Sequence, residues 1–210
     1  MSSIHKQHVQ LTKELYRAFY FFNNRFTDGK LITPIITVQT TGGMSAYGWF
    51  GSNFWVDKAT GKMVSEINLC AEEIGRGSEP VMETLLHEMA HLHNAQNGVR
   101  DCTSGQYHNK HFKLAAEMFG LSVSKLSGKG YARTKMDLPA EEAFKELNVK
   151  HRLFQAVRRK VLHKKKSPYA TLVVNPDVKE RVTRACTKSN VNQRVLVENA
   201  LELYMSSLGV

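Results

Sequence analysis

The stretch TLLHEMAHLHNAQNG, residues 84–98, places three histidines and a glutamate within positions 87–93. Residues four apart in an α-helix are separated by about 400° of rotation, so His87 and His91 project from the same face. Glu88 reaches the neighbouring part of that face, whereas His93, about 200° beyond His91, points elsewhere. Two imidazoles at this separation can hold one zinc ion. The stretch therefore predicts a metal-binding helix with His87 and His91 as ligands and Glu88 as the base for an attacking water, and His93 is interpreted as a bystander.

The remaining positions of this helix are largely apolar, which predicts that the helix is buried. They are Leu85, Leu86, Met89, Ala90 and Leu92. An ionisable side chain in such surroundings is unfavourable without a partner, and a metal ion is such a partner.

A catalytic zinc ion needs a third protein ligand and an open fourth position. Two histidines follow in the segment YHNKHF, namely His108 and His111, at 17 and 20 residues beyond His91. Glu117, on the next predicted helix, is a weaker third candidate. Sequence spacing leaves these alternatives open.

The basic residues are concentrated in the C-terminal part of the chain. Residues 1–120 contain 11 Lys+Arg and 11 Asp+Glu, whereas residues 121–210 contain 18 Lys+Arg and 8 Asp+Glu, so the whole net charge of +10 lies in the second segment. Such asymmetry indicates an acidic partner, most commonly nucleic acid, although a solvated basic surface is the alternative.

The composition favours a folded protein of the cytoplasm. Hydrophobic residues make up 42% and charged residues 23% of 210 residues, enough for one core and a small appendage. The first residues lack the apolar segment of a signal peptide, and no run is long enough for a membrane span. The three widely spaced cysteines argue against a disulfide framework and a cysteine zinc ribbon.

The hydrophobic pattern predicts an α+β core around the histidine helix. The expected order is an N-terminal helix, a small antiparallel sheet of three strands, the histidine helix and a following helix; the ranges are 4–26, 35–40, 46–51, 63–69, about 80–98 and about 109–119.

The C-terminal part is predicted to be separate from this core. The Ser-, Gly- and Lys-rich stretch 122–138 is interpreted as a boundary, and a basic helix is predicted over about 140–162, followed by the charge run HKKKSP at 163–168. The predicted domains are therefore a core at 1–125, a basic helical linker at 126–168 and a terminal segment at 169–210.

The residues around the histidine helix resemble those of the SprT-like metallopeptidase family, which includes the Spartan proteases. The resemblance covers roughly residues 10–125 and rests on INLCAEEIGRGSEPVMETLLHEMAHLHNAQNG and on YHNKHFKLAAEMFGL. His108 matches the family's third zinc ligand and Phe112 its packing aromatic, while His111 falls at a non-ligand position. The family's glycine is replaced by Asn109, which tolerates turn conformations nearly as well. The resemblance implies a minimal zincin-type peptidase fold.

This resemblance also implies an activity. Zinc held by His87, His91 and His108 would activate a water for peptide hydrolysis, with Glu88 as general base, and the substrates would be proteins bound to DNA. The segment AYGWFG, if it lies at a sheet edge, could pair with an extended substrate. Three tyrosines could stabilise an oxyanion, although packing is the more common role of a single tyrosine. They are Tyr47, Tyr107 and Tyr131.

The terminal segment 169–208 resembles the ribbon-helix-helix family of DNA-binding proteins. A short β-rich run ends at Asn175-Pro176, and two helical patterns follow. The resemblance implies an intertwined dimer with paired strands in the major groove. The expected groove face, Tyr169, Thr171 and Val173, lacks the side chains that bond base edges, so dimerisation or phosphate binding is the better expectation. The basic residues available for phosphates are His163, Lys164, Lys165, Lys166, Lys179 and Arg181.

Two functions are therefore carried forward. The first is a zinc-dependent endopeptidase with a basic tail that binds nucleic acid and forms a possible homodimer. The second is a DNA-binding regulator with a structural or vestigial zinc site. For the terminal segment itself, the alternative is a helical hairpin packed on the peptidase core. Glu88 favours the enzyme, because a structural site has no use for a carboxylate beside its ligands.

Overall fold

The computed structural model describes residues 3–40, 46–159 and 174–209. The chain divides into two compact units, Met1–Lys160 and Val161–Val210. Among the described residues, no helix combines the length and the hydropathy that crossing a membrane requires.

The first unit confirms the predicted α+β class and contains two small sheets. Its helices are α1 (Ser3–Thr27), α2 (Ser78–Gln96), α3 (Lys110–Met118) and α4 (Leu138–Leu147), with short 3-10 helices at Ile74–Arg76 and His151–Gln155. Its strands are β1 (Ile35–Gln39), β2 (Gly48–Val56), β3 (Met63–Cys70), β4 (Leu121–Leu126) and β5 (Gly130–Met136).

The three-stranded sheet is mixed, which corrects the prediction of an antiparallel sheet. Its order is β1-β3-β2, with β2 antiparallel and β1 parallel to the central β3. The turn between β2 and β3 forces those two strands to run in opposite directions. Gln39, which ends β1, and Gly48, which begins β2, pair with Cys70 and Leu69 at the same end of β3, one on each side of it. β2 therefore lies at a sheet edge.

The core lies between the helices and the inner face of this sheet. From α1 it contains Leu15, Phe19 and Phe22, each fully buried, and from α2 it contains Leu85 and Met89, also fully buried. Burial of side chains of this size contributes about 1.5–3 kcal/mol each. The prediction that the histidine helix is buried is confirmed.

Residues 122–138, predicted to be a boundary, form most of the β4–β5 hairpin instead. Ser127 and Gly128 lie in its turn, where Gly128 has a φ of 71°, whereas Ser122 and Ser124 lie in β4. The hairpin is anchored at its open end, since Leu121 and Met136 are paired with each other and buried.

The helix predicted over 140–162 is also corrected, since α4 ends at Leu147. Asn148 adopts a left-handed conformation with a φ of 47°, which stops the helix, as asparagine readily does. Beyond it, Val149, Leu153 and Phe154 are buried in the core. The first compact unit therefore extends well beyond the predicted limit at residue 125.

The second unit contains α5 (Pro176–Ser189) and α6 (Gln193–Leu208), which confirms the two predicted helices. Asn175 and Asn192 cap them by accepting bonds from the backbone N–H groups of Asp177 and Val195. Neither helix contains a buried residue. Of the predicted strand, only Val174 lies within the described residues, and the run HKKKSP lies outside them.

Candidate metal centre

Three histidines converge at one point of the first unit. The ligand atoms of His87, His91 and His108 all lie within 4.8 Å of one another. The Nε2 atoms of His91 and His108 are 3.2 Å apart. The structure thus brings together the two histidines of the helix motif and, of the open alternatives for the third position, His108.

Local structure explains how His108 reaches the helix. It forms isolated bridges with Cys102 on one side and with Gly130 of β5 on the other, so a single extended residue is held between two chain segments. The next residue, Asn109, caps α3 by accepting from the N–H groups of His111 and Phe112. Its φ of −93° is not a left-handed turn, so asparagine serves here as a helix cap, a different role from the one predicted.

Each of the three histidines engages its Nδ1 atom with a neighbour. Nδ1 of His91 donates to Oδ2 of Asp101 at 2.8 Å, and Nδ1 of His108 donates to the backbone carbonyl of Gln106 at 3.1 Å. Nδ1 of His87 lies 3.2 Å from Oγ1 of Thr134 on β5. These partners fix the ring orientations and leave the Nε2 atoms for a ligand.

The arrangement of nitrogen atoms could hold a metal ion. A neutral imidazole that donates from Nδ1 carries a bare lone pair on Nε2, so with both rings in that form His91 and His108 would direct two lone pairs at each other across 3.2 Å. Such an arrangement is unfavourable unless a cation lies between them. Three neutral imidazoles form a donor set that zinc accepts, and they leave a fourth position open.

The electrostatics favour neutral ligands. Burial, together with the charges of His91 and His108, lowers the pKa of His87 well below its ordinary value. Burial and the charge of His91 lower the pKa of His108 to about 4. Burial opposes ionisation of Asp101, but the hydrogen bonds from His91 and Asn94 and the charges of His91 and His108 together outweigh it, so the pKa of Asp101 is lowered. Metal ligation requires neutral imidazoles, so the site is prepared for it.

The ring of Phe112 packs against all three imidazoles. Its ring centroid lies 4.6 Å from that of His87 and 4.5 Å from those of His91 and His108, and the side chain is fully buried. The predicted packing role of this residue is confirmed.

Glu88 is buried beside the cluster, with 4% of its surface exposed. Burial raises the pKa of its carboxyl group to about 7. The first residue of β2 lies directly against it, since a Cβ atom at Gly48 would be 3.2 Å from Glu88 Oε1 and 2.9 Å from Thr84 Cγ2. Only glycine lets the edge strand approach the carboxylate so closely.

The other candidates lie away from the cluster. His93 packs against Phe119, with ring centroids 6.3 Å apart, as expected of a bystander. His111 is exposed on α3, and the carboxylate of Glu117 pairs with Lys113 at 3.3 Å.

The three tyrosines are engaged in packing. Tyr47 lies under the guanidinium of Arg76, which is 3.7 Å from its ring centroid. A Cβ atom at Gly130 would lie 2.9 Å from the ring of Tyr107, and Tyr131 has the ammonium groups of Lys113 and Lys125 within 5.8 Å of its centroid.

Asp101 and Thr134 are site residues that the sequence interpretation missed. A carboxylate in the polar loop after a metal-binding helix was a usable signal for Asp101, because such ligands usually donate to one. Cys102 also lies near His91 and Asp101. Burial, with the nearby charges of Asp101 and Glu88, raises the pKa of its thiol to about 12, so it stays protonated.

Comparisons with models of protein families, with curated proteins and with solved structures return no match to this chain.

Proposed function

We propose that the protein is a zinc-dependent endopeptidase with a SprT-like, minimal zincin-type core. The observation that carries the proposal is the convergence of three imidazole nitrogens beside a buried carboxylate, Glu88, that is not one of the three ligands. A purely structural zinc site is usually closed by a fourth protein ligand and has no use for such a carboxylate.

The residues divide the chemistry between them. His87, His91 and His108 would hold the metal, which when bound supplies Lewis acidity toward a peptide carbonyl and lowers the pKa of water. Glu88 would accept the proton of the attacking water on a carboxylate oxygen and transfer it to the leaving amine. Asp101, Thr134 and the carbonyl of Gln106 would keep the imidazoles in place.

The position of the edge strand β2 favours an extended peptide as the substrate. Among the described residues, no strand pairs with its outer edge, and its first residue, Gly48, lies against Glu88. An extended peptide added along this edge would have its backbone beside the carboxylate. An unfolded or extended segment of a protein is therefore the proposed substrate, with proteins bound to DNA as the expected class.

The second unit is proposed to bind nucleic acid or to form a homodimer. Lys179 and Arg181 of α5 lie in its first turns, at exposed positions. The other proposed phosphate-binding residues, at 163–166, lie outside the described residues. The cytoplasmic location stays a prediction.

The catalytic proposal is tested with Glu88→Gln. Zinc-loaded chain is incubated with casein and with histone, in the presence and absence of DNA and of a chelator. The wild-type chain is expected to cleave in a chelator-sensitive manner, and Glu88→Gln to lose about 100-fold or more of the rate while keeping its zinc.

Glu79→Gln is the matched control, because Glu79 is an exposed residue of the same helix. Undiminished cleavage by Glu88→Gln would refute the role given to Glu88. A zinc-loaded wild-type chain that binds DNA and cleaves neither protein would support the regulator instead.

A further inference from the structure

The β4–β5 hairpin is the most one-sidedly charged part of the first unit. Residues 121–136 contain four basic residues and neither aspartate nor glutamate. These are Lys125, Lys129, Arg133 and Lys135. All four are exposed, and within the described part of the chain none of them forms an ion pair.

The strand register places polar side chains together on the outer face of the hairpin. Ser122 is paired with Lys135 and Ser124 with Arg133, and residues directly opposite each other in an antiparallel pair share a face. All four are exposed. The opposite face packs on the core, where Leu121 and Met136 are buried. The outward face is therefore built from hydroxyl, guanidinium and ammonium groups.

The ring of Tyr131 lies close to two ammonium groups, that of Lys125 from the hairpin and that of Lys113 from α3. Lys125 Nζ lies 5.2 Å and Lys113 Nζ 5.8 Å from its ring centroid, although Lys113 also pairs with Glu117 at 3.3 Å. Lys129, in the turn region, donates to Oε1 of Gln106 at 3.3 Å. Like charges collect here without an acidic residue of the hairpin to balance them, which is typical of a surface that receives an anion.

We propose that the outer face of the β4–β5 hairpin binds the sugar–phosphate backbone of nucleic acid. Backbone contacts come mainly from Arg, Lys, Ser and Tyr side chains, which are the groups on and beside this face. An acidic protein partner would need an apolar centre to its interface. The hairpin offers only Leu126 at its tip, 41% exposed, as a large exposed apolar side chain.

The position of the hairpin relates nucleic-acid binding to the proposed peptidase activity. The same hairpin contacts two of the three histidines, through Thr134 to His87 and through the Gly130 bridge to His108. Nucleic acid on the outer face would lie at the rim of the metal centre and would hold attached proteins near Glu88. This consequence rests on the proposed function, whereas the binding itself does not.

The test measures binding alone, in a full-length, zinc-loaded chain that also carries Glu88→Gln, so that no cleavage contributes. The probes are a labelled single strand and a labelled duplex of mixed sequence, followed by fluorescence anisotropy over a series of salt concentrations. The test variant is R133S/K135S, and the matched control is K58S/K62S, which removes two exposed lysines from the turn between β2 and β3.

R133S/K135S is expected to weaken binding at least fivefold and to reduce the slope of log K against log salt by about 2, one for each phosphate that the variant no longer neutralises. K58S/K62S should change binding less than twofold. The comparison is repeated with Lys164, Lys165 and Lys166 changed to serine. Binding of the oligonucleotides by these three lysines then cannot hide a loss of binding at the hairpin. Unchanged melting temperature and zinc content would show that the fold is intact.

An unaltered affinity and salt slope for R133S/K135S in both backgrounds would overturn the proposal. Equal losses in the two double variants would also overturn it, because net charge rather than the hairpin would then govern binding. If R133S/K135S loses binding to polyglutamate but keeps binding to both oligonucleotides, the surface belongs to an acidic protein partner. If this binding is found but the zinc-loaded wild-type chain cleaves neither casein nor histone, that result counts against the proposed function only.

Discussion

At the residue scale, the hydrogen bonds behind the histidines decide which atoms face a metal. The bond from His91 Nδ1 to Asp101 selects the tautomer with a bare Nε2, and Asn94 donates to the same carboxylate oxygen at 3.0 Å. His108 reaches the equivalent state through a backbone carbonyl. The carboxylate and backbone acceptors therefore fix the tautomer and the orientation of both rings before a metal binds.

His108→Ala is expected to lower zinc affinity much more than His111→Ala. Loss of an outer partner of a ligand typically costs 10–100-fold in affinity, so loss of a ligand should cost about 100-fold or more. His111 is exposed and outside the cluster, so its removal should change the affinity less than about twofold. Competition with a chromophoric chelator measures both values, and the reverse order would reassign the third ligand.

The residues of this site differ in how visible they are in the sequence. His87, Glu88 and His91 are adjacent along one helix, and helical geometry alone predicts their common face. The choice of His108 over His111 came only from the family resemblance, because the loop between helices has no fixed period. Thr134 was not foreseen, since its contact with His87 spans 47 residues and depends on tertiary packing.

At the scale of elements, two glycines of β2 differ in whether the surrounding structure can make room for a side chain. A Cβ atom at Gly48 would lie 2.8 Å from the backbone oxygen of Asn68 and 2.9 Å from Thr84 Cγ2, both in fixed parts of the structure. The three atoms nearest to a Cβ atom at Gly51 all belong to the ring of Phe54, which is 66% exposed and can move away.

Gly48→Ala is therefore expected to destabilise the protein by about 1–3 kcal/mol, as overpacking does, and to reduce cleavage by displacing β2 from Glu88. Gly51→Ala, on the same strand, should cost less than about 1 kcal/mol. Urea unfolding of both variants gives the comparison. Equal stability of the two would show that β2 and α2 are not closely packed at Gly48.

Helices were more predictable than strands and turns. α1, α2 and α3 each have a buried face with helical periodicity, and their observed limits agree with the prediction within about two residues. The β4–β5 hairpin was missed because Ser, Gly and Lys are typical of linkers as well as of exposed strands. The end of α4 was missed because the apolar spacing continues past Asn148, whose left-handed conformation stops the helix.

An ion pair within α1 forms hydrogen bonds to the end of α4 and to the segment after it. Glu14, 4% exposed, accepts from Arg17 at 2.6 Å and from the backbone N–H of Lys150 at 3.0 Å, while Arg17 also donates to the carbonyl of Leu147. Burial opposes ionisation of Glu14, but these hydrogen bonds outweigh it and its pKa is lowered. The ionised carboxylate thus helps to hold the segment after α4 on the core.

Because the folded-state pKa of Glu14 lies below its unfolded value, its contribution is complete above the unfolded pKa of about 4.3 and is lost as pH falls through the folded value. Glu14→Gln should therefore cost about 1–3 kcal/mol near pH 7, and the difference from wild type should shrink toward about pH 3. Urea unfolding across this range measures it.

Glu146→Gln is the control, because Glu146 of α4 forms an exposed pair with Arg25 of α1 at 3.5 Å. This pair should contribute less than about 1 kcal/mol at any pH. A Glu14→Gln penalty that is independent of pH would mean that the charge of Glu14 does not stabilise the fold.

At the scale of the whole molecule, the two units differ in how much they bury. The first has a core that draws on every one of its four helices and on both sheets, whereas α5 and α6 bury no residue. A pair of helices this small cannot supply a core of its own. Apolar side chains of α6 point in several directions, and a helix that is apolar on more than one side normally becomes buried. Its exposed examples are Leu201, Leu203, Tyr204, Met205 and Leu208.

A second copy of the chain is the expected partner of these helices, so the protein should sediment as a dimer at micromolar concentration. L201E/L203E places two charges on the exposed apolar surface of α6 and should shift the chain to a monomer, because an unpaired charge within an apolar interface is strongly unfavourable. S206E/S207E adds the same two charges on the same helix at polar positions and should dissociate the dimer less. Sedimentation velocity of the three full-length proteins gives the oligomeric state, and circular dichroism shows whether the helices persist. A wild-type chain that is monomeric throughout the concentration series would exclude self-association, and a dimer that L201E/L203E leaves intact would place the interface elsewhere.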